Sequence, residues 1–439
     1  MSNKKLSTDS YKGVRDFYPE DMAIQRYIFD VWSETAESFG YERYDASVLE
    51  PSDLYKAKGA ENEEMVNEQT YTFTDRGERE VTLRPEMTPT VARMIAGRRR
   101  ELSFPVRWYS IPNLFRYERP QRGRLREHWQ LNCDMFGATD YTADIEVIAL
   151  AYQTLINFGA DPEKTFKIHI NNRQLMADFF SEKYQITDIK TFQQITNVLD
   201  KKKKVTEEIF NGLLEEIVQE RFETLKNELN LEINDFIQLL NNENQHSTLL
   251  NVKRGLNELG INNVTFDASL ARGFDYYTGT IFEIFDVSGE NNRSMLGGGR
   301  YDNLTEMFGG EAISGIGFGM GDVTMRDFLE THNLLTASST APTIMIVPMN
   351  APQNLEAQKI AQRFRQEAEI AVAVDISSKK LSKKISDAVE KMVEYIVVVG
   401  EDEIKNNQYT LKHLYSDFKE TGTIEVLLKQ FENKTENVT

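Results

Sequence analysis

Along residues 40–137 apolar and polar positions alternate in many places, a period of two that predicts half-buried strands. Turns are predicted at Arg76–Gly77 and around Gln121–Gly123. Within this region VRWYSIPNLFRYERPQRGRLREHWQLNCDMFG, residues 106–137, predicts a long hairpin around an arginine-rich turn. Side chains alternate faces along a strand. Leu114, Arg116 and Glu118 therefore share one face of the outgoing arm, and Trp129, Leu131, Cys133 and Met135 form an apolar face on the return arm. The opposite face carries Arg126, His128, Gln130, Asn132 and Asp134, a row of hydrogen-bonding groups.

The period then lengthens. Residues 140–158 carry Ile145, Ile148, Leu150, Ala151 and Leu155 at helical spacing. Residues 174–260 are rich in Lys, Glu, Gln and Asn, with Leu213, Leu214, Ile217, Leu239 and Leu240 at the same spacing, which predicts an inserted helical module. Strands return from 265 to 321, and a helix follows at about 322–332. RGFDYYTGTIFEIF, residues 272–285, is rich in strand formers. A cation, an aspartate and two tyrosines crowd its entrance, and Gly279 sits inside it. In SGIGFGMGD, Gly315, Gly317, Gly319 and Gly321 fall on one strand face and Ile316, Phe318 and Met320 on the other. A bare face invites close approach by a flat ring or another backbone. GGGRYDNL, residues 297–304, predicts a tight glycine turn with a nearby cation.

Beyond a small-residue stretch at 336–343, TIMIVPM (343–349), AVAVDI (371–376) and EYIVVVG (394–400) are short apolar strands separated by helices at about 354–369 and 380–392. That alternation implies a parallel α/β unit. The resulting division is 1–173 and 263–335 as the two parts of one domain, 174–262 as the helical insertion, 336–342 as a linker and 343–439 as the α/β domain.

A length of 439 residues suits about three domains, and 40% hydrophobic residues suffice for real cores. No apolar run approaches the roughly 20 residues of a membrane span. The opening MSNKKLSTDSYKG has no apolar signal region. Cys133 is the sole cysteine, and five scattered histidines include no HExxH, so no metal site is expected. A cytoplasmic protein without a membrane partner is the expectation. The net charge of −18 argues against a polyanionic partner, but local charge decides. Basic clusters stand at Arg98–Arg100, at Arg116, Arg119, Arg122, Arg124 and Arg126, at Lys201–Lys204, and at Lys379, Lys380, Lys383 and Lys384. Neither the dinucleotide GxGxxG nor a P-loop occurs.

TLRPEMTPTVAR (82–93), the arginine hairpin, LARGFDYYTGTIFE (270–283) and GGGRYDNL together resemble the histidyl-tRNA synthetases. KGVRDFYPED near the N-terminus is similar to that family's opening, and KKLSKKISDA, VVVGEDE and YTLKHL resemble its anticodon-binding domain. The resemblance implies a class II catalytic domain, an α+β fold with an antiparallel sheet flanked by helices, in a homodimer. It also implies histidine–tRNA ligase activity: L-histidine and ATP, with Mg2+ accompanying the nucleotide, give histidyl-adenylate, and tRNA(His) accepts the histidyl group.

By matching position, the resemblance assigns Glu86, Met87, Thr88, Gln130, Asp134, Tyr276 and Tyr277 to histidine, with Glu86 and Thr88 at its α-amino group. Arg116, Arg124, Gln130 and Arg272 are assigned to ATP, and Lys379, Lys380, Lys383 and Lys384 to tRNA. Arg116 and Arg272 are the catalytic pair, Arg116 holding the α-phosphate and Arg272 facing it as the histidine carboxylate attacks. Such in-line chemistry needs fixed positive charge more than a general base. The tyrosines would wall the imidazole, with Gly279 leaving room beside them. Asp134 suits an imidazole N–H, because leaving that bond unmade rejects analogues.

Two positions depart from the family pattern. Ser47, in YDASVLEP, stands where the first class motif carries a proline at the dimer interface. Thr324 stands where the third motif carries an arginine. Arg326 lies two residues further on, about 200° around a helix, and is expected to be structural. Two rivals share much of the resemblance: the synthetase-like regulatory subunit of ATP phosphoribosyltransferase, which lacks the Arg272–Tyr277 motif and the C-terminal domain, and a class II synthetase for another amino acid.

Overall fold

The hairpin read from residues 106–137 stands at the middle of the larger of two units in the computed structural model, which describes residues 6–56, 69–202, 205–241, 247–270, 276–291, 293–336 and 340–431. This unit contains Ile24–Thr336, and the other contains Ala337–Thr439.

In the larger unit the described strands are β1 (Glu42–Arg43), β2 (Leu49–Pro51), β3 (Tyr71–Thr74), β4 (Glu80–Leu83), β5 (Val106–Ser110), β6 (Asn113–Phe115), β7 (Glu127–Phe136), β8 (Phe166–Asn172), β9 (Val264–Phe266), β10 (Thr280–Asp286), β11 (Ser294–Tyr301) and β12 (Gly315–Gly321). A 9-stranded sheet runs β1-β5-β7-β12-β11-β10-β8-β9, with β6 added beside β7, while β2, β4 and β3 form a small sheet of their own. Pairing is antiparallel from β5 through to β8 and parallel only at the two ends. The expected antiparallel sheet with flanking helices is thus present.

Alternation decides what each face does. Leu131, Cys133 and Met135 of β7 and Ile316, Phe318 and Met320 of β12 are buried in one core with Val147, Ile148 and Leu155 of the helix Thr142–Asn157. Each fully buried side chain of this size contributes roughly 1.5–3 kcal/mol. The other face belongs to the polar row and the glycines.

The described residues of the segment read as an insertion form helices joined by turns, at Arg173–Tyr184, Ile189–Asp200, Glu207–Val218, Phe222–Glu228, Ile233–Ile237 and Ser247–Glu258. Three of them start where a short polar side chain accepts a first-turn N–H: Asn172 from Leu175, Asp188 from Thr191 and Thr206 from Ile209. These caps satisfy donors that a helix end leaves orphaned. Leu214, Leu225, Phe236, Leu249, Val252 and Leu256 are buried and join the main core.

Three local readings are corrected. Thr88–Arg98, inside the strand-rich region, is a helix with proline in its first turn, where the missing N–H costs nothing. β10 begins only at Thr280, so Tyr276, Tyr277 and Gly279 precede it, and 271–275 lie outside the described residues. GGGRY ends strand β11 and forms no turn, because antiparallel neighbours press there: a Cβ on Gly298 would lie 2.1 Å from the Gly317 carbonyl oxygen.

The smaller unit holds β13 (Ile344–Pro348), β14 (Val372–Val374), β15 (Tyr395–Val399), β16 (Tyr409–His413) and β17 (Lys419–Gly422), in the order β14-β13-β15-β16-β17. The first three pair in parallel, as their intervening helices Asn354–Glu367 and Leu381–Glu390 dictate. β16 and β17, joined by a short turn, add antiparallel.

Candidate active site

Asp134 is buried in the centre of the sheet, opposite Gly317 of β12. A Cβ at Gly317 would come within 2.3 Å of the Asp134 Oδ1, so glycine is what allows the carboxylate to lie flat there. The Tyr301 hydroxyl donates to Oδ1. Oδ2 is buried and has no hydrogen-bond partner among the described residues. Burial raises the carboxyl pKa to about 7, and the tyrosine hydroxyl only partly opposes this. Such an oxygen suits a donor delivered by a ligand.

Aromatic rings close on this carboxylate. Tyr276 lies 4.8 Å from Tyr277 and 5.8 Å from Tyr301, ring centre to ring centre. The Tyr276 hydroxyl also reaches Oε2 of the buried Glu86 at 3.5 Å. Glu86 and Met87, both buried, lead directly into the helix Thr88–Arg98, so the same turn that starts that helix presents Glu86 and Thr88. Gln130 of β7 opposes Gly321 of β12, and its amide carbon would be 2.7 Å from a Cβ at Gly319. Tyr277 itself is packed in the core with Val91, Ile95, Phe136 and Ile281.

The arginine hairpin forms a second cluster. Arg116 donates from Nε to the Pro85 carbonyl at 2.8 Å, which ties it to the turn bearing Glu86. Arg124 pairs with the buried Glu118 at 2.5 Å. His128 sits among these cations: burial and the charges of Arg116, Arg15 and Arg124 push its imidazole down to about 3, so it is neutral at ordinary pH. A group of guanidiniums beside an aromatic-walled carboxylate can hold a polyphosphate next to a small cationic or N–H-bearing substrate. Among the described residues no group of His, Cys, Asp and Glu side chains could hold a metal ion, and no helix is long and apolar enough to cross a membrane.

A sequence model of the family described as Histidyl-tRNA synthetase matches residues 13–322. The chain belongs to the histidyl-tRNA synthetase family. A second model, described as Anticodon binding domain, matches residues 343–434. Among similar proteins, the histidine–tRNA ligase of Leptospira biflexa serovar Patoc is 42% identical over 422 residues, 95% of each chain. That of Thermoplasma volcanium is 36% identical over 439 residues, covering 98% of this chain and all of its own. The crystal structure of histidyl-tRNA synthetase from Nostoc sp. PCC 7120 superposes with a TM-score of 0.79 over 98% of this chain and 100% of its own. At 23% identity it speaks for the fold alone.

Within this family framework not every residue singled out from the sequence is among those described in the cluster. Arg272 lies outside the described residues, as do Lys203 and Lys204. Arg300, the cation of GGGRYDNL, points into the protein: it pairs with the buried Asp144 and donates to the Ala138 and Asp140 carbonyls and the Ser314 hydroxyl. Lys384 is a correction. It is buried, and its Nζ donates to the carbonyls of Pro348 at 3.1 Å and Asp375 at 3.0 Å, so it is turned away from any polyanion at the surface. Leu381 and Ala388, three residues before it and four after, mark the same inward helix face and were the available signal. Lys379 and Lys383 both pair with Asp387, and Lys380 is exposed.

Tyr301 is the residue that sequence reasoning missed. Its signal was its place two residues after Gly299, on the face turned to Tyr277. At the third-motif position, Thr324 donates from Oγ1 to the Met295 and Gly321 carbonyls. Arg326 pairs with Glu330 of its own helix at 2.9 Å. Ser47 is exposed and accepts the Leu49 N–H at 3.2 Å.

Proposed function

We propose that this chain is a histidine–tRNA ligase that joins L-histidine to ATP, giving histidyl-adenylate and diphosphate, and then esterifies tRNA(His), releasing AMP. The observation that carries the reading is the Asp134 carboxylate, fastened on one oxygen by Tyr301, whose ring meets that of Tyr276, and open on the other. An imidazole N–H fits that open acceptor, and a site built around an unmade hydrogen bond discriminates strongly against side chains lacking the donor. Glu86, with Met87 and Thr88 beside it, receives the α-amino group, Tyr277 supports Tyr276, and Gln130 lies where amino acid and nucleotide meet.

In the first step a histidine carboxylate oxygen attacks the α-phosphorus, and the bond to the bridging oxygen of diphosphate breaks. Arg116 and Arg272 hold charge at the α-phosphate, and Arg124 holds the outer phosphates, with Mg2+ arriving as part of the nucleotide substrate. No side chain has to take a proton in this step, which is why fixed cations serve it. In the second step a ribose hydroxyl at the tRNA 3′ end attacks the activated carbonyl, and AMP leaves. Lys379, Lys380 and Lys383 contact tRNA phosphates through residues 343–439, while 174–262 form a module inserted into a catalytic domain of 1–173 and 263–335. A cytoplasmic homodimer completes the reading; it rests on the family and the composition.

Amino-acid-dependent exchange of labelled diphosphate into ATP tests the reading, with histidine run beside the other nineteen amino acids. Exchange with histidine alone is expected. Absence of exchange with histidine, or equal exchange with another amino acid, would overturn it. The second of the two family matches, over residues 343–434, favours the ligase over the shortened regulatory paralogue.

A further inference from the structure

Thr324 stands where the third class motif carries an arginine, and a cation from a different element lies close to it. Thr324 turns its hydroxyl back onto its own turn and onto the Met295 carbonyl at 3.0 Å, so the first turn of the helix Asp322–Thr331 is stitched to the beginning of β11. Arg293 is the residue immediately before β11. Its Cδ and the Thr324 Cγ2 each lie 3.4 Å from the point where a Cβ of Gly123 would stand. Arg293 and Thr324 therefore both flank Gly123 at the turn of the arginine hairpin, and the longer side chain is the one just before β11.

The Arg293 guanidinium is half-buried and, among the described residues, makes no hydrogen bond or ion pair. The charges that act on it are Arg124 and Glu118, while Asp327 Oδ2, 3.9 Å from the same Gly123 point, makes no hydrogen bond or ion pair with it. Glu118 is already committed to Arg124 at 2.5 Å, so two cations share one carboxylate. Burial first, and then Arg124, lower the Arg293 pKa, the response of a cation that lacks an anion. Five donors in a rigid fork beside a second guanidinium match a phosphate. Arg326 offers no alternative, since its guanidinium is paired within its own helix.

We propose that Arg293 contacts the outer phosphates of ATP together with Arg124, reaching them from the β10–β11 connection. The inference rests on the reading of this site as an ATP-dependent histidine-activating centre. Arg293→Met, which keeps the apolar stem, is compared with wild type by histidine-dependent diphosphate exchange and by competition binding of ATP and AMP. The KM for ATP should rise at least about tenfold, the scale of a lost charged hydrogen bond. The KM for histidine and the melting temperature should hold, and AMP affinity should change by less than about twofold, because AMP lacks the contacted groups. A purely structural role would move the histidine KM and AMP affinity together with ATP.

A KM for ATP within about threefold of wild type, or equal losses for ATP and AMP, would overturn the proposal. Should the methionine variant fold poorly, Arg293→Lys keeps charge without the fork and should still weaken ATP several-fold while sparing AMP; no ATP-selective loss overturns the proposal there too. Wild type that shows no histidine-dependent exchange removes the underlying reading, and this inference with it. Active wild type with an indifferent Arg293 variant removes the inference alone.

Discussion

Replacing Asp134 with asparagine should make the empty protein more stable in alkali and a worse enzyme. A carboxyl pKa of about 7 against an ordinary 3.8 corresponds to about 4 kcal/mol against the ionised form. Below 3.8 both folded and unfolded chains carry the proton; between 3.8 and about 7 only the folded chain does; above about 7 the whole cost is present. Stability therefore falls as pH rises through this window. Between about pH 5.5 and about pH 8.5 the wild type should lose roughly 2 kcal/mol at this site that the amide does not lose. The amide brings its own cost: with Tyr301 donating to Oδ1, its NH2 takes the orphan position and goes unpaired, at about 1–3 kcal/mol. That cost does not vary with pH, so the slope is the diagnostic quantity. Urea unfolding of both proteins at the two pH values, without ligands, gives it directly. Curves for the two proteins that stay parallel, with a stability difference constant to about 0.5 kcal/mol, would refute the burial argument. In the enzyme assay the variant should raise the KM for histidine at least about tenfold, because donor would face donor.

Three further outcomes follow from the packing. Arg300→Met strands the buried Asp144 carboxylate and should cost about 3–5 kcal/mol, with much of it recovered by adding Asp144→Leu; a loss under about 1 kcal/mol in urea unfolding would contradict the pairing. Replacing Lys379, Lys380 and Lys383 with alanine should reduce the salt slope of tRNA binding by roughly 0.7–0.9 for each phosphate no longer neutralised, whereas Lys384→Met should leave the slope alone and lower the stability of the smaller unit. Arg326→Ala should raise the KM for ATP less than about fivefold, and a rise of about fifty-fold in a folded variant would show that its guanidinium reaches a phosphate.

Periodicity carried the strands that matter most. The alternation in β7 and β12 separates Leu131, Cys133 and Met135 from Gln130, Asn132 and Asp134, and the same rule turns the β12 glycines toward the polar row. What stayed hidden depends on partners distant in sequence. Glycine runs ordinarily mark turns, and nothing local reveals that Gly298 faces the backbone of Gly317 across a strand pair. Arg300 reads as a cation beside a glycine turn until Asp144, 156 residues away, is seen to claim it. The helix Thr88–Arg98 was masked by threonine, valine and proline in its first turn, residues whose propensities point elsewhere. Lys384 was lost in a basic run, although its spacing to Ala388 matched a buried face.

The sheet order has a consequence for synthesis. β7 finds β5 and β6 as soon as it is made, but its other long edge pairs with β12, which ends at Gly321. About 180 residues, the whole helical insertion among them, separate the two strands. At ~5–20 residues per second the ribosome needs roughly ten to forty seconds to deliver the second. Throughout that interval a ten-residue strand, one face of it apolar, waits with one edge of its backbone unpaired. A nascent chain of this topology is exposed to wrong partners at the strand that carries Asp134, and it has most to gain there from chaperones acting during translation.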